Sequence, residues 1–289
     1  MKKKILLLVL VIAVLTVVLA GCISKPPHKT LSDPWDNYEK ITYEVSRELN
    51  DKTIIKGTST MITERITNSN VKVGDRNINN FSGTYVSINT ILDDGSEMVA
   101  QVAFKSSFEP VASFKQINVK GYESNSPAKD TTQTTNIFYE DEKCYYDTDF
   151  DGVKKSDSIK VGKWIKKPYY DNLMLYHIAR SSYIGESFSS ITTNVLSTGD
   201  YSMKTLTVSR TVANNVSHIF NEEDAGIKTD LLSISLNQTF PGSGTPMTVT
   251  LSRETKEDYN GINFNTNRIP LVISEGKMVY KITNYTNVK

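Results

Sequence analysis

From residue 38 onward the chain repeats one pattern. A short arm of alternating apolar and polar residues meets a cluster of turn formers, and a second arm follows. Ile41, Tyr43 and Val45 alternate with Lys40, Thr42 and Glu44, the period of a strand with one buried face. Asn50-Asp51 offers a turn before an arm over 53–66. Residues 85–92 and 97–105 flank Asp93-Asp94-Gly95, and Met98, Ala100, Val102 and Phe104 share one side of the second arm. A single strand is predicted over 111–120, and 121–135 reads as a polar loop. Further pairs flank Asp141-Glu142, Ser197-Thr198-Gly199-Asp200, Pro241-Gly242-Ser243-Gly244 and Glu275-Gly276-Lys277. Hairpins in series build an antiparallel meander. The fold class predicted is mainly β: a strongly curved antiparallel sheet, either an incomplete barrel or a two-layer meander.

One stretch breaks the alternation. Residues 169–181, Tyr-Tyr-Asp-Asn-Leu-Met-Leu-Tyr-His-Ile-Ala-Arg-Ser, are dense in helix formers. Pro168 suits a first helical turn, Asp171 the positive start and Arg180 the negative end. Leu173, Tyr176, His177 and Arg180 share a side, with Met174 and Ile178 next to it. The expectation is a helix packed on the curved sheet or plugging it. A second short helix is expected near 216–225.

The first 22 residues constrain location. Lys2, Lys3 and Lys4 precede an apolar run from Ile5 to Leu19, interrupted only by Thr16, and Leu19-Ala20-Gly21-Cys22 completes the stretch. This is the order of a secretory leader, and its last four residues resemble the processing box of bacterial lipoproteins. The expected layout is a signal peptide over 1–21, a lipidated Cys22 with a tether over 22–37, and one β-rich domain over 38–289. An uncleaved anchor and an ordinary secreted form are the alternatives. In each case the leading lysines stay on the cytoplasmic side and the rest lies outside it. Acyl chains bury about 0.8 kcal/mol per CH₂, and two together anchor a chain stably. Pro26, Pro27 and Pro34 favour extended chain in the tether, and Trp35 is expected to begin the domain.

Composition narrows the function classes. Three of the 33 Lys and Arg residues, and none of the 32 Asp and Glu, sit in the leader. The chain beyond the leader is close to charge balance, without the concentrated basic face that nucleic acid requires. The two cysteines are Cys22 and Cys144. With Cys22 acylated no intrachain disulfide forms, and Cys144 reads as a small buried strand residue.

Motifs for chemistry are few. Asp147-Thr148-Asp149-Phe150-Asp151-Gly152 matches the first half of a calcium loop, with carboxylates at alternate positions and a glycine for the turn. The second half fails: Lys155 stands at the ninth position and Ser158 where a bidentate Glu belongs. Asp147, Asp149 and Asp151 are therefore candidate calcium ligands set against a solvated acidic turn. His28, His177 and His218 stand apart, without zinc-site spacing. Gly242-Ser243-Gly244 lacks the strand-to-helix setting of a nucleophile elbow. No catalytic set is visible, so no enzyme activity is expected, and an enzyme with no visible motif is kept only as a remote alternative.

Two stretches together resemble a known type. They are residues 166–181, Lys-Lys-Pro-Tyr-Tyr-Asp-Asn-Leu-Met-Leu-Tyr-His-Ile-Ala-Arg-Ser, and residues 268–285, opening Arg-Ile-Pro-Leu-Val-Ile-Ser-Glu-Gly-Lys-Met-Val-Tyr. The chain resembles an uncharacterised family of exported β-rich proteins, distantly similar to the lipoprotein-carrier fold. It departs from that family's Asp-Pro-Leu-Ser at Asp171-Asn172-Leu173. The resemblance implies a half-open barrel closed by a helix and carries no catalytic residue. It implies an apolar or amphipathic ligand in the half-barrel, with Met174, Tyr176 and Ile178 contributing to the wall. The alternative is a cell-envelope interaction or structural module, docking another protein at an exposed strand edge.

Overall fold

The computed structural model describes residues 33–50, 53–120, 130–181, 190–197, 201–211, 229–236, 247–252 and 268–288. The leader, Cys22 and the second helix expected near 216–225 lie outside them. Among the described residues, fifteen strands form one sheet. In chain order they are β1 (Tyr38–Asn50), β2 (Thr53–Val73), β3 (Arg76–Leu92), β4 (Glu97–Phe104), β5 (Pro110–Val119), β6 (Thr131–Glu140), β7 (Lys143–Phe150) and β8 (Val153–Lys160). They continue as β9 (Tyr169–Asp171), β10 (Ser190–Ser197), β11 (Ser202–Thr211), β12 (Thr229–Leu236), β13 (Met247–Ser252), β14 (Pro270–Glu275) and β15 (Met278–Val288).

The sheet is two meanders joined at their outer ends in sequence. Strand β1 pairs antiparallel with β15, from Tyr38 opposite Val288 to Arg47 opposite Met278. From that seam one arm runs through β2 to β8 and the other through β14 to β9. Neighbours are antiparallel except β9, which lies parallel to β10. The sheet does not close: β8 and β9 are its two ends.

The two ends meet through side chains. Ser113 of β5 and Tyr139 of β6 both donate hydrogen bonds to Asp171 of β9. Tyr146 of β7 stacks on Tyr201, with ring centroids 3.8 Å apart. The strands beyond β5 thus overlap the opposite end without bonding to its edge.

The inward phase of each strand builds the main core. Ile41, Tyr43 and Val45 of β1 pack with Val86 and Ile88 of β3 and with Ala100, Val102 and Phe104 of β4. A second cluster lies on the other face. There the tip of the long β2–β3 hairpin, bent by register shifts between Ile66 and Val71, brings Val71, Val73 and Phe81 onto Ala103 and Ala112. Gly74 at that tip has φ +56°, and a Cβ there would run into Asn136 and Phe114. Its N–H donates to Gln101 at 2.8 Å, so only glycine fits this approach.

The helix enters later than the sequence pattern predicts. Pro168 starts no helix, and Tyr169 to Asp171 form β9. Asp171 then caps a 3-10 turn over Asn172–Met174, accepting the Leu173 N–H at 2.8 Å. Helix α1 comes next, over Leu175–Ser181. The reason is competition: Asp171 is taken by partners on β5 and β6, and its neighbours pair with β10. Tertiary bonds override local propensity. Helix α1 lies inside the curve of the sheet, with Leu175, His177, Ile178, Ala179, Arg180 and Ser181 buried.

Several stretches of strand escape the sequence pattern: 131–135, read as loop, is the first half of β6 paired with β5, and the β2–β3 hairpin runs on past residue 66. Residues 67–70, Thr-Asn-Ser-Asn, are exposed and carry no alternation, yet the β2–β3 ladder runs past them. Strand β8 is exposed on both faces over most of its length, so it too has no buried phase to read. Trp35 is 2% exposed and touches the main core, so packed structure begins ahead of residue 38.

Candidate functional site

Three polar clusters hold the plug in place, and each is built from inward positions of the sheet. The first is at its start. The Asp171 carboxylate is fully buried and accepts from Ser113 Oγ at 2.6 Å, Tyr139 Oη at 2.7 Å and the Leu173 N–H. Burial raises its pKa, and these three donors partly oppose the rise. The Tyr139 phenol is raised well above its usual range, by burial first and then by the Asp171 charge.

The second cluster is mid-helix. His177 is fully buried, and its Nε2 lies 3.0 Å from Thr63 Oγ1 of β2. The Trp35 ring stands edge-on with its centroid 4.9 Å away. His177 Nδ1 has no hydrogen-bond partner among the described residues. Burial lowers the imidazole pKa well below its ordinary value, and the Arg180 charge lowers it further.

The third cluster is an ion pair at the helix end. Arg180 grips Glu39 of β1 with both terminal nitrogens, at 2.9 and 3.2 Å, and both side chains are fully buried. Tyr285 of β15 donates to the same carboxylate at 2.7 Å. Arg180 Nε donates to the Arg268 carbonyl at 3.2 Å. The guanidinium thus ties α1 directly to β1, and through Glu39 to β15. The Arg180 carbon also sits 5.6 Å from the Trp35 ring centroid.

This arrangement is chemically quiet. Thr63 and His177 are a hydroxyl and a base within reach, but they are 1% and 0% exposed, so no substrate meets them in this conformation. Cys144 is buried on β7 and its thiol is pushed up to about 12, chiefly by burial and then by Asp171. It stays protonated and unreactive at neutral pH.

The residues singled out in the sequence are placed as follows. Met174 and Ile178 are buried in the main core. Tyr176 is half-buried and donates to Glu275 at 2.6 Å. Val161, Lys167, Tyr169, Asn194 and Met203 line a cavity of about 30 Å³, room for a single water. Asp147 and Asp149 are on β7, and Asp151 is in the turn to β8. Asp149 accepts the Gly152 N–H and Asp151 accepts the Thr132 N–H, both at 2.8 Å. Among the described residues no group of three or more His, Cys, Asp or Glu converges as a metal site. Lipidation at Cys22 falls outside the described residues. Among those residues, no helix is long and apolar enough to cross a membrane.

Sequence reasoning passed over Glu39, Thr63, Ser113, Tyr139 and Tyr285. For two of them a signal was present. Glu39 precedes Ile41, Tyr43 and Val45 in the same inward phase, and Thr63 comes after Met61 in its own. A polar residue on a buried phase points to a partner across the core.

No family model matches the chain, and no curated protein matches it. Among solved structures, it is similar to a β-barrel-like protein of a domain of unknown function, DUF1849, from Brucella abortus. The TM-score is 0.51 at 9% identity, covering 87% of this chain and 98% of the other. At that identity the likeness is one of fold: a mainly β, barrel-like sheet that here stays open.

Proposed function

We propose that this chain is a membrane-tethered extracytoplasmic lipoprotein, anchored through Cys22, whose β domain is a non-enzymatic interaction module of the cell envelope. The observation that carries this reading is that, among the described residues, buried side chains of α1 and of the turn before it occupy the inside of the sheet. Helix α1 occupies the inside of the sheet, packed by Met174 and Ile178 and pinned by the buried Glu39–Arg180 pair. The working surface is then the outer edge of the sheet, its open end at β8. The leader ending at Cys22 supports the location.

The lipoprotein-carrier resemblance suggests a second reading, an apolar ligand held inside the half-barrel. That requires α1 to leave, which would take Arg180 from Glu39 and strand a buried charge there. Calcium at the 147–152 turn is not part of the reading, because two of the three carboxylates already serve backbone N–H groups. Near charge balance also leaves nucleic acid out.

A photo-reactive residue placed at Ser156 of β8, in cells making the chain, is expected to give protein adducts. The same residue at Asn89, exposed on β3 but within a strand paired on both sides, is expected to give none. Equal adducts at both positions, or none at Ser156, contradict an edge-docking module. Cys22→Ser is expected to release the chain from the membrane fraction, and retention contradicts the anchor.

A further inference from the structure

Strand β8 ends the sheet, and among the described residues its outer side pairs with nothing. Its register is set by the turn before it. Asp151 and Gly152 both have positive φ, +50° and +87°, the geometry of a two-residue type I′ hairpin. Phe150 and Val153 close that turn as a hydrogen-bonded pair, and bonding alternates along β8 from there. Val153, Lys155, Asp157 and Ile159 therefore bond inward to β7, while Lys154, Ser156, Ser158 and Lys160 aim their backbone outward. Two observations fix this phase independently. The Val161 N–H continues the inward series by donating to the Glu142 carbonyl at 2.9 Å. The Ser158 N–H is met by the Asp157 side chain at 2.8 Å instead of by β7.

The outward groups suit one occupant. An antiparallel strand centred on Ser156 would exchange backbone bonds at Ser156, and at Lys154 with Ser158. If that strand is another β8, Lys155 falls opposite Asp157 and Val153 opposite Ile159, each twice by symmetry. These are the closer, non-hydrogen-bonded positions, where side-chain pairing counts most. Centring on Asp157 would instead set two carboxylates against each other. Charge and apolar character thus match in the Ser156 register, in which backbone parity also agrees. Residues 153–157 are exposed on both faces, so nothing described on either side blocks an approaching strand.

Resting on the outer-surface reading above, we propose that β8 pairs with β8 of a second copy of this chain, antiparallel about Ser156, joining two open barrels at their ends. The assembly stops at two. The other end of the sheet, β9, is three residues long and wholly buried against β5 and β6, so among the described residues each copy has one usable edge. Tethering both copies to one membrane would raise their effective concentration and favour the pairing. To form the new pairs, Asp157 exchanges its bonds to the Ser158 N–H and to the Tyr146 phenol of β7 for the partner's Lys155.

The test uses the full chain in mild detergent. Ser156→Cys is expected to form an intermolecular disulfide on mild oxidation, because symmetric hydrogen-bonded positions place Cα atoms about 5.5 Å apart. Lys154→Cys and Ser158→Cys, which face each other's positions rather than their own, are expected to stay at the parent chain's background. Lys155→Asp alone and Asp157→Lys alone should each weaken self-association about tenfold or more by sedimentation. Mixed together, the two variants should restore it, since every pair is then again opposite in charge. Equal cross-linking at all three positions overturns the register. Charge variants that associate like the parent, or a mixture no tighter than its components, overturn the charge pairing. A parent chain that stays monomeric means that the lysines of β8 guard the edge instead, and it overturns the proposal. If adducts at Ser156 form in cells while the purified chain stays monomeric, the second copy is ruled out and the interaction-module reading survives.

Discussion

Helix α1 buries His177 in the core, where it responds to mild acid. Its pKa is lowered in the fold, by burial and then by Arg180, so the folded chain resists taking the proton that the unfolded chain accepts near pH 6.5. Below that pH the unfolded state binds more protons. Stability is therefore complete above about pH 6.5 and falls with pH below it, by at most about 1.4 kcal/mol per pH unit until the folded pKa is reached. Asp171 and Asp33 act in the opposite sense, because burial raises both. Each favours the protonated, folded state as pH falls through its own window. The comparison with His177→Gln, whose side chain can still reach Thr63, separates these effects. Urea midpoints between pH 7 and pH 5 should fall more for the parent than for the variant, and parallel midpoints would contradict a neutral buried imidazole. The Glu39 carboxylate belongs to the same setting, since it directly balances the Arg180 charge that acts on His177.

At the scale of elements, α1 is too short to be stable alone and depends on what it touches. Met174 and Ile178 each gain about 1.5–3 kcal/mol by full burial, and the Glu39–Arg180 pair fixes where the helix sits. Glu39→Gln leaves Arg180 charged and short of its counterion, so it should destabilise the chain by about 3–5 kcal/mol in equilibrium unfolding. Replacing both partners with apolar residues of similar volume should recover most of that loss. A loss below about 1 kcal/mol for Glu39→Gln would mean that the pair is solvated and α1 is not pinned. The hairpins around Asp93-Asp94-Gly95 and Glu275-Gly276-Lys277 were legible in the sequence because alternation and turn residues coincide there. The start of α1 was not, because Asp171 takes its conformation from Ser113 and Tyr139, 58 and 32 residues away. Strand β8 was not legible either, since a strand with no buried face carries no period.

For the whole molecule, the sequence showed a curved antiparallel meander and a helix lying on or in it. It did not show that β1 pairs with β15, because a seam between the first and last strands leaves no local signature. Nor did it show whether the helix leaves space inside. That depends on Glu39, Thr63 and Tyr285, which lie on three different strands and converge only once the sheet curls. The filled interior is the claim on which the functional reading rests. On the proposed reading, recognition then falls on the open end of the sheet rather than inside it. Native mass spectrometry of the full chain, released from its own membrane in mild detergent, tests it most directly. A filled interior predicts a protein mass carrying no apolar small molecule beyond any acyl group on Cys22. A stoichiometric lipid-like molecule, retained by the parent and lost on replacing Ile178 with a charged residue, would contradict it.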